Sequence, residues 1–262
     1  MSGNHLQEFL SKLEAAQSDE EREWLVMQFS LDSLSPALRA AVWAAAVPHW
    51  FDQPYLNAIL GDEAALSEAD FQTLCGLSFV EPFPERGYNV HERTRELLLA
   101  RLWDDAPDRY RELSGRATAY CAGQEQEDTG WRVETLYHQL LADEPGAVDA
   151  FAGQGIDWYN RFEYDKVEAL IRPALAAVTA NRLVSDAAAW AYYRQGRLDI
   201  TYSRNREAKV HLQRALDYQK ADRGLEANCI QALGDVHLRL SEYELARARY
   251  EEARPIYAAI GA

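Results

Sequence analysis

Helix-breaking residues are scarce in this chain of 262 residues, which contains only 14 glycines and 9 prolines. Their scarcity leaves long uninterrupted windows in the sequence. Apolar residues in these windows recur with the 3.6-residue period of an amphipathic helix and do not alternate as they would in strands. The sequence therefore predicts a mainly α protein.

Long apolar runs and paired cysteines are also missing. No run of about 18 uncharged apolar residues is present, which excludes a membrane-spanning helix, and 48% hydrophobic residues are too many for a disordered chain. The three cysteines are odd in number and far apart, and MSGNHLQEFL lacks the pattern of a signal peptide. We expect a soluble, globular protein in a reducing cytoplasm.

Basic residues are few. Lys and Arg number 27 against 42 Asp and Glu, which gives a net charge of −15. A field of this sign repels phosphate backbones and anionic membrane surfaces. The composition predicts that neither nucleic acid nor a membrane is a partner.

Known catalytic motifs are absent. The sequence has no G-x-x-x-x-G-K-[ST], G-x-S-x-G, H-E-x-x-H or C-x-x-C, none of its four lysines follows a glycine, and its six histidines are scattered. We expect no enzyme activity, no catalytic residue, no metal and no cofactor. A hydrolase whose site residues are separated in sequence stays open as an alternative.

Serines mark four expected helix starts. Ser18, Ser67 and Ser241 each precede an acidic residue by three positions, and Ser35 precedes Pro36. A serine hydroxyl accepts hydrogen bonds from the free amides of a first helical turn, and proline is tolerated at its first position. These positions predict helix N-termini.

One segment interrupts the helical pattern. FVEPFPERGYNV, residues 79–90, predicts a small hairpin around its prolines and glycine. Predicted helices precede it at 35–47, 53–60 and 67–77, and another follows at 91–103. This order resembles a winged helix, which implies an N-terminal domain over 1–105 and a helical junction over 106–147.

An internal repeat begins near residue 148. Its three copies are marked by Gly155, Gly196 and Gly234, at spacings of 41 and 38 residues. The positions 12, 16 and 19 residues after each glycine hold small or apolar residues: Val167, Ile171 and Ala174; Ala208, Leu212 and Ala215; Ala246, Tyr250 and Ala253. Each copy predicts two antiparallel helices, so that 148–262 would form stacked hairpins.

The third copy, ANCIQALGDVHLRLSEYELARARYEEARPIYAAIG, closely resembles a tetratricopeptide repeat, and the other two copies follow by register. Their spacings exceed the roughly 34 residues of the standard repeat. They resemble the long-loop variety in bacterial signal-transducing ATPases with numerous domains, the NB-ARC-type relatives of plant and animal immune receptors. SLDSLSPALRAAVWAAAVPHWFDQPYLNAILG and YNVHERTRELLLARL resemble the winged-helix domain of the same ATPases.

The resemblance assigns a role to His91. In those ATPases a Val/Met-His-Asp element senses the bound nucleotide, and Val90, His91 and Glu92 occupy it here, with Glu in place of Asp. Because the chain has no phosphate-binding loop, the alternative is that His91 caps or packs at the junction between hairpin and helix.

The first helices of the three copies predict a concave face that binds a protein or peptide. Trp, Tyr and Arg in the middle copy are typical of binding hot spots. The candidate contact residues are Tyr159, Trp190, Tyr193, Arg197, Asn228, Gln231 and Asp235. We expect an acidic or C-terminal segment of the partner to lie there, although Trp190 and Tyr193 could instead pack against the preceding helix pair. The last helix lacks a polar outer partner, which predicts self-association.

These observations together predict a non-catalytic protein-interaction module of the sensor type, acting in signalling or defence. The alternative is a transcription regulator that places its winged helix on DNA. The helix that would enter the major groove, SEADFQTLCGL from Ser67 to Leu77, has no basic residue.

Overall fold

The computed structural model describes residues 3–61 and 64–261, with side chains from residue 7 onward. The described part of the chain is mainly helical, as the sequence predicts. Its helices are α1 (Gly3–Ala15), α2 (Asp19–Asp32), α3 (Pro36–Ala45), α4 (Gln53–Leu60), α5 (Glu68–Cys75), α6 (Glu92–Asp105), α7 (Pro107–Ala122), α8 (Thr129–Ala142), α9 (Glu144–Asn160), α10 (Tyr164–Thr179), α11 (Asp186–Thr201), α12 (Asn205–Tyr218), α13 (Arg223–Arg239) and α14 (Tyr243–Ile260). Strands β1 (Val80–Phe83) and β2 (Gly87–Val90) form one antiparallel hairpin.

Three of the four predicted helix starts are confirmed. The hydroxyl oxygens of Ser18, Ser35 and Ser67 accept hydrogen bonds from the backbone N–H three residues on. The prediction for Ser241 is wrong: its φ is 61°, and α14 begins two residues later. The left-handed backbone at Ser241 ends the preceding helix and cannot start a new one.

The chain divides into two compact units, Met1–Tyr120 and Cys121–Ala262. In the first unit, α3 is followed by Phe51, which exchanges two backbone hydrogen bonds with Tyr88 of β2 (2.7 and 2.8 Å). Helices α4 and α5 then precede the hairpin, and α6 follows it. The rings of Phe51, Phe71 and Tyr88 pack together with centroids 5.9–6.4 Å apart. They join this short three-strand arrangement to α5.

Gly87 allows the hairpin to approach Phe51 closely. Its φ is 101°, and a Cβ at this position would lie 2.5 Å from the carbonyl oxygen of Phe51. Only glycine fits such a backbone without displacing its neighbour. The glycine that predicted the hairpin therefore also lets Phe51 join the strands.

The second unit consists of helices packed mainly against their neighbours in sequence. Helix α11 packs most extensively on α12, and α13 on α14, while α9 packs on α8, α10 and α11. Small residues line these interfaces: Ala187, Ala188, Ala189 and Ala191 of α11 and Ala227 and Ala232 of α13 are buried. Their size lets helix axes approach closely.

Glycine has two kinds of neighbour in this unit. A Cβ on Gly196 would lie 2.7 Å from Cγ of Leu212, and one on Gly234 would lie 2.5 Å from Cε1 of Tyr250. These two glycines let α12 and α14 approach their partners, as the repeat pattern predicts. Gly155 differs, because a Cβ there would meet the side chain of Arg194 from α11.

One turn recurs after α9, α11 and α13. Phe162, Ser203 and Ser241 have φ of 63°, 60° and 61°, at the spacings of the three glycines. At each turn the next residue donates its backbone N–H to a carbonyl five residues earlier: Glu163 to Trp158 (3.0 Å), Arg204 to Asp199 (2.7 Å) and Glu242 to His237 (2.9 Å). This is the Schellman motif, in which a left-handed residue satisfies the last helical carbonyls.

Candidate interaction site

The predicted contact residues lie on three helices of the second unit: Tyr159 on α9, Trp190, Tyr193 and Arg197 on α11, and Asn228, Gln231 and Asp235 on α13. We call this set the α9–α11–α13 face. Arg197 connects its first two helices, because its guanidinium lies 5.3 Å from the ring centroid of Tyr159 and donates a hydrogen bond to Tyr193 Oη (3.3 Å).

Trp190 and Tyr193 are buried. Their rings make an edge-to-face contact at 5.7 Å, and they are 8% and 5% exposed. This agrees with the alternative in which they pack within the array, and they offer little surface to a partner. The exposed and half-buried residues of the face are Tyr159, Arg197, Asn228, Gln231 and Asp235.

Arg194 is the residue of this region that the sequence pattern misses. Its side chain is 7% exposed, lies over Gly155, and holds its guanidinium 5.1–5.7 Å from the ring centroids of Tyr159, Trp190 and Tyr193. Burial, followed by neighbouring charges including Arg197, lowers its pKa. The stripe of residues three and four apart bypasses position 194. The signal that could have found it is an arginine inside the apolar stretch AAAWAYYRQG.

Tyr257 of α14 is the second residue missed. Its hydroxyl lies 2.8 Å from Asn228 Oδ1 and 2.7 Å from Gln231 Oε1, so it holds both amides in place. Burial raises the pKa of Tyr257, and the nearby Tyr193 adds to this effect while Arg197 opposes it. Since these groups influence one another, the α14 tyrosine links the α11 and α13 parts of the face.

Asp235 is engaged within its own helix pair. Its Oδ1 accepts a hydrogen bond from Tyr250 Oη (2.9 Å), and burial together with this bond raises the pKa of Tyr250 to about 12. The carboxylate of Asp235 therefore serves the packing of α14 on α13.

The two arginines of the face have no acidic partner. Among residues 3–61 and 64–261, no Asp or Glu oxygen forms an ion pair with Arg194 or Arg197. Nε of each is buried and makes no hydrogen bond. More exposed arginines of the same unit do pair with acids, such as Arg161 with Asp157 (3.0 Å). The face thus concentrates unpaired positive charge in a chain of net charge −15.

His91 belongs to the first unit. It is the N-cap residue of α6 without forming a side-chain cap, and its Nε2 lies 3.2 Å from Glu81 Oε2 of β1. Its side chain is 58% exposed. The imidazole therefore ties the hairpin to the start of α6 through Glu81.

Two shallow grooves run along α14. One, of about 390 Å³, is lined by Gln231, Tyr250, Arg254 and Tyr257, and the other, of about 380 Å³, by Leu238, Tyr243, Arg247 and Glu251. Leu238 and Tyr243 are 50% and 65% exposed. Self-association through this region stays a prediction.

Two further searches of the described residues were made. None of their helices has the length and apolar character needed to cross a bilayer. No group of three or more His, Cys, Asp or Glu side chains in the described ranges is placed to hold a metal ion.

Comparisons with protein-family models, with curated proteins and with solved structures found no match for this chain.

Proposed function

We propose that this chain is a non-catalytic protein-interaction module that binds a segment of a partner protein on the α9–α11–α13 face. The observation that carries the proposal is the pair of arginines without acidic partners, framed by aromatic rings and by the amides of Asn228 and Gln231. Arginine and aromatic side chains dominate the energetics of protein interfaces. The surface donors would orient a peptide, and Tyr159 would supply apolar contact area.

The architecture we propose for the module is a winged-helix-like domain followed by tetratricopeptide-like hairpins. The order α3, Phe51, α4, α5, β1, β2, α6 supports the first part. The recurring turns at spacings of 41 and 38 residues and the glycine contacts of Gly196 and Gly234 support the second. The sensor region of signal-transducing ATPases with numerous domains combines these two parts, and we propose kinship with it in signalling or defence.

The proposal is tested by site-specific photocrosslinking in lysate of the source organism. p-Benzoylphenylalanine replaces the exposed Gln231 on the face or, as a control, Val210, which is 53% exposed on α12. We expect a discrete crosslinked protein from position 231 that position 210 does not give. Equal crosslinking from both positions would place the binding surface elsewhere.

The captured protein then gives a quantitative test. Arg197→Ala combined with Gln231→Ala should weaken its binding by about 2–4 kcal/mol, the range of interface hot spots. Neither residue is in the buried core, so melting temperature should change little. Tyr193 is left intact because it is buried. Unchanged affinity in isothermal titration calorimetry would contradict the proposed function.

A further inference from the structure

Arg194 and Arg197 form a pair of like charges that the protein itself leaves uncompensated. They are three residues apart on α11, Arg194 is 7% exposed and Arg197 is half-buried. Buried charges are normally paired, because removing a guanidinium from water is costly. Cation–π contacts with Tyr159, Trp190 and Tyr193 return part of this cost but leave the charge in place.

Acidic residues are abundant in this chain, yet they are absent from the surroundings of this pair. Asp and Glu number 42 against 27 Lys and Arg, and exposed arginines such as Arg161, Arg223 and Arg249 have acidic partners. Among the described residues, carboxylates form no ion pair with either arginine of the pair. This is the arrangement expected where the counter-charge comes from a ligand.

From this geometry we propose that the Arg194–Arg197 pair binds a phosphomonoester group on a peptide segment of the partner. The inference rests on the proposed function and adds the chemical class that the face recognises. Two guanidiniums require two negative charges, which one phosphomonoester supplies and one carboxylate does not. Guanidinium forks donate paired hydrogen bonds to phosphate oxygens, and the two unbonded Nε–H groups show that donors are available.

Neighbouring groups fit an anion at this position. Tyr257 fixes the oxygens of Asn228 and Gln231, which leaves the N–H groups of both amides as further donors. Asp235, the acidic residue of the face, is held by Tyr250. The partner's backbone would then lie across α11 and α13.

The test uses blocked pentapeptides, acetyl-AAXAA-amide, in which X is phosphoserine, glutamate or serine, together with inorganic phosphate. Binding to the full chain is followed by calorimetry and by the Arg Nε–H signals in NMR spectra at constant ionic strength. We expect the phosphoserine peptide to bind at least tenfold more tightly than the other three probes at pH 7.5. Its affinity should fall at least threefold at pH 5, because the second phosphate pKa is about 6.

Three variants locate the site. Arg197→Gln should weaken phosphoserine peptide binding at least tenfold, whereas Arg161→Gln, an exposed arginine of α9's C-cap, should leave it unchanged. Arg194→Met should abolish binding with an unchanged or higher melting temperature, since it removes an unpaired buried charge.

Three outcomes would overturn the inference. Equal binding of the glutamate peptide would make the ligand a carboxylate, equal binding of inorganic phosphate would remove the peptide, and unchanged binding by Arg197→Gln would move the site. A partner that is captured and crosslinked at position 231 while the phosphoserine peptide fails to bind would leave the proposed function standing without this inference.

Discussion

Three glycines at equivalent repeat positions have different surroundings in this structure. The absent Cβ of Gly196 makes room for Leu212, which is fully buried, whereas that of Gly155 makes room for the flexible side chain of Arg194. A flexible side chain can yield to an added methyl group, but a buried leucine within a packed helix pair cannot. Position in the repeat therefore does not by itself determine what a glycine does.

Alanine substitution should separate these two roles. Gly196→Ala should lower the free energy of unfolding by about 1–3 kcal/mol through overpacking against Leu212. Gly155→Ala should raise it by about 0.5–1 kcal/mol, because its Cβ would lie 3.6 Å from Arg194 Nε and alanine favours helix. Urea unfolding followed by circular dichroism measures both. A destabilised Gly155→Ala would show that Arg194 is rigidly held.

Sequence patterns identify the helices better than their surroundings. The scarcity of breakers, the capping serines and the hairpin motif lead to the correct elements, because these signals are local. The burial of Trp190 and Tyr193, the position of Arg194 and the role of Tyr257 could not be predicted. They depend on how α9, α11, α13 and α14 pack, which no single helix encodes.

At the scale of elements, the turn between α13 and α14 carries a polar contact of its own. Nδ1 of His237 lies 2.5 Å from Glu242 Oε2, across the Schellman turn that ends α13. This hydrogen bond lowers the pKa of Glu242 below its ordinary value of 4.5. The corresponding turn between α11 and α12 has the opposite charges, with Arg204 paired to the buried Asp199 (2.7 Å).

The lowered pKa of Glu242 gives a pH-dependent prediction. Its stabilising contribution is present above the pKa of the unfolded state and is lost as pH falls through the lower pKa of the folded state. Wild type should therefore exceed Glu242→Gln in urea midpoint by a constant amount from pH 7 to about 5. The difference should shrink between about pH 4.5 and 3. A difference independent of pH across that window would contradict a stabilising carboxylate.

For the whole chain, net charge and local contacts together oppose binding to DNA. The net charge is −15, and α5, which a winged helix would place in the major groove, carries Glu68 and Asp70 and no basic residue. The arginines near the hairpin are engaged within the protein. Arg93 pairs with Glu23 (2.7 Å), and Arg95 donates to the carbonyl oxygens of Val47 and Pro48 (3.0 and 3.1 Å).

Fluorescence anisotropy with a labelled duplex of random sequence is the corresponding measurement. We expect no binding at 150 mM salt with micromolar protein, because too few free cations are available to release counterions from the phosphates. A charge-matched protein of unrelated fold serves as the control. Saturable binding with a steep dependence on salt concentration would favour the transcription regulator instead.

The recurring left-handed turn has a consequence for the history of the chain. Phe162, Ser203 and Ser241 are not glycine, and each adopts a conformation that costs an L-residue about 1–2 kcal/mol. Side chains around the three turns have diverged, even to opposite charges at Asp199–Arg204 and His237–Glu242, while the backbone hand has been retained. Such a record points to tandem duplication of one ancestral helical hairpin. Distant relatives should be sought by the spacing of this turn, since residue identities at these positions have already been exchanged.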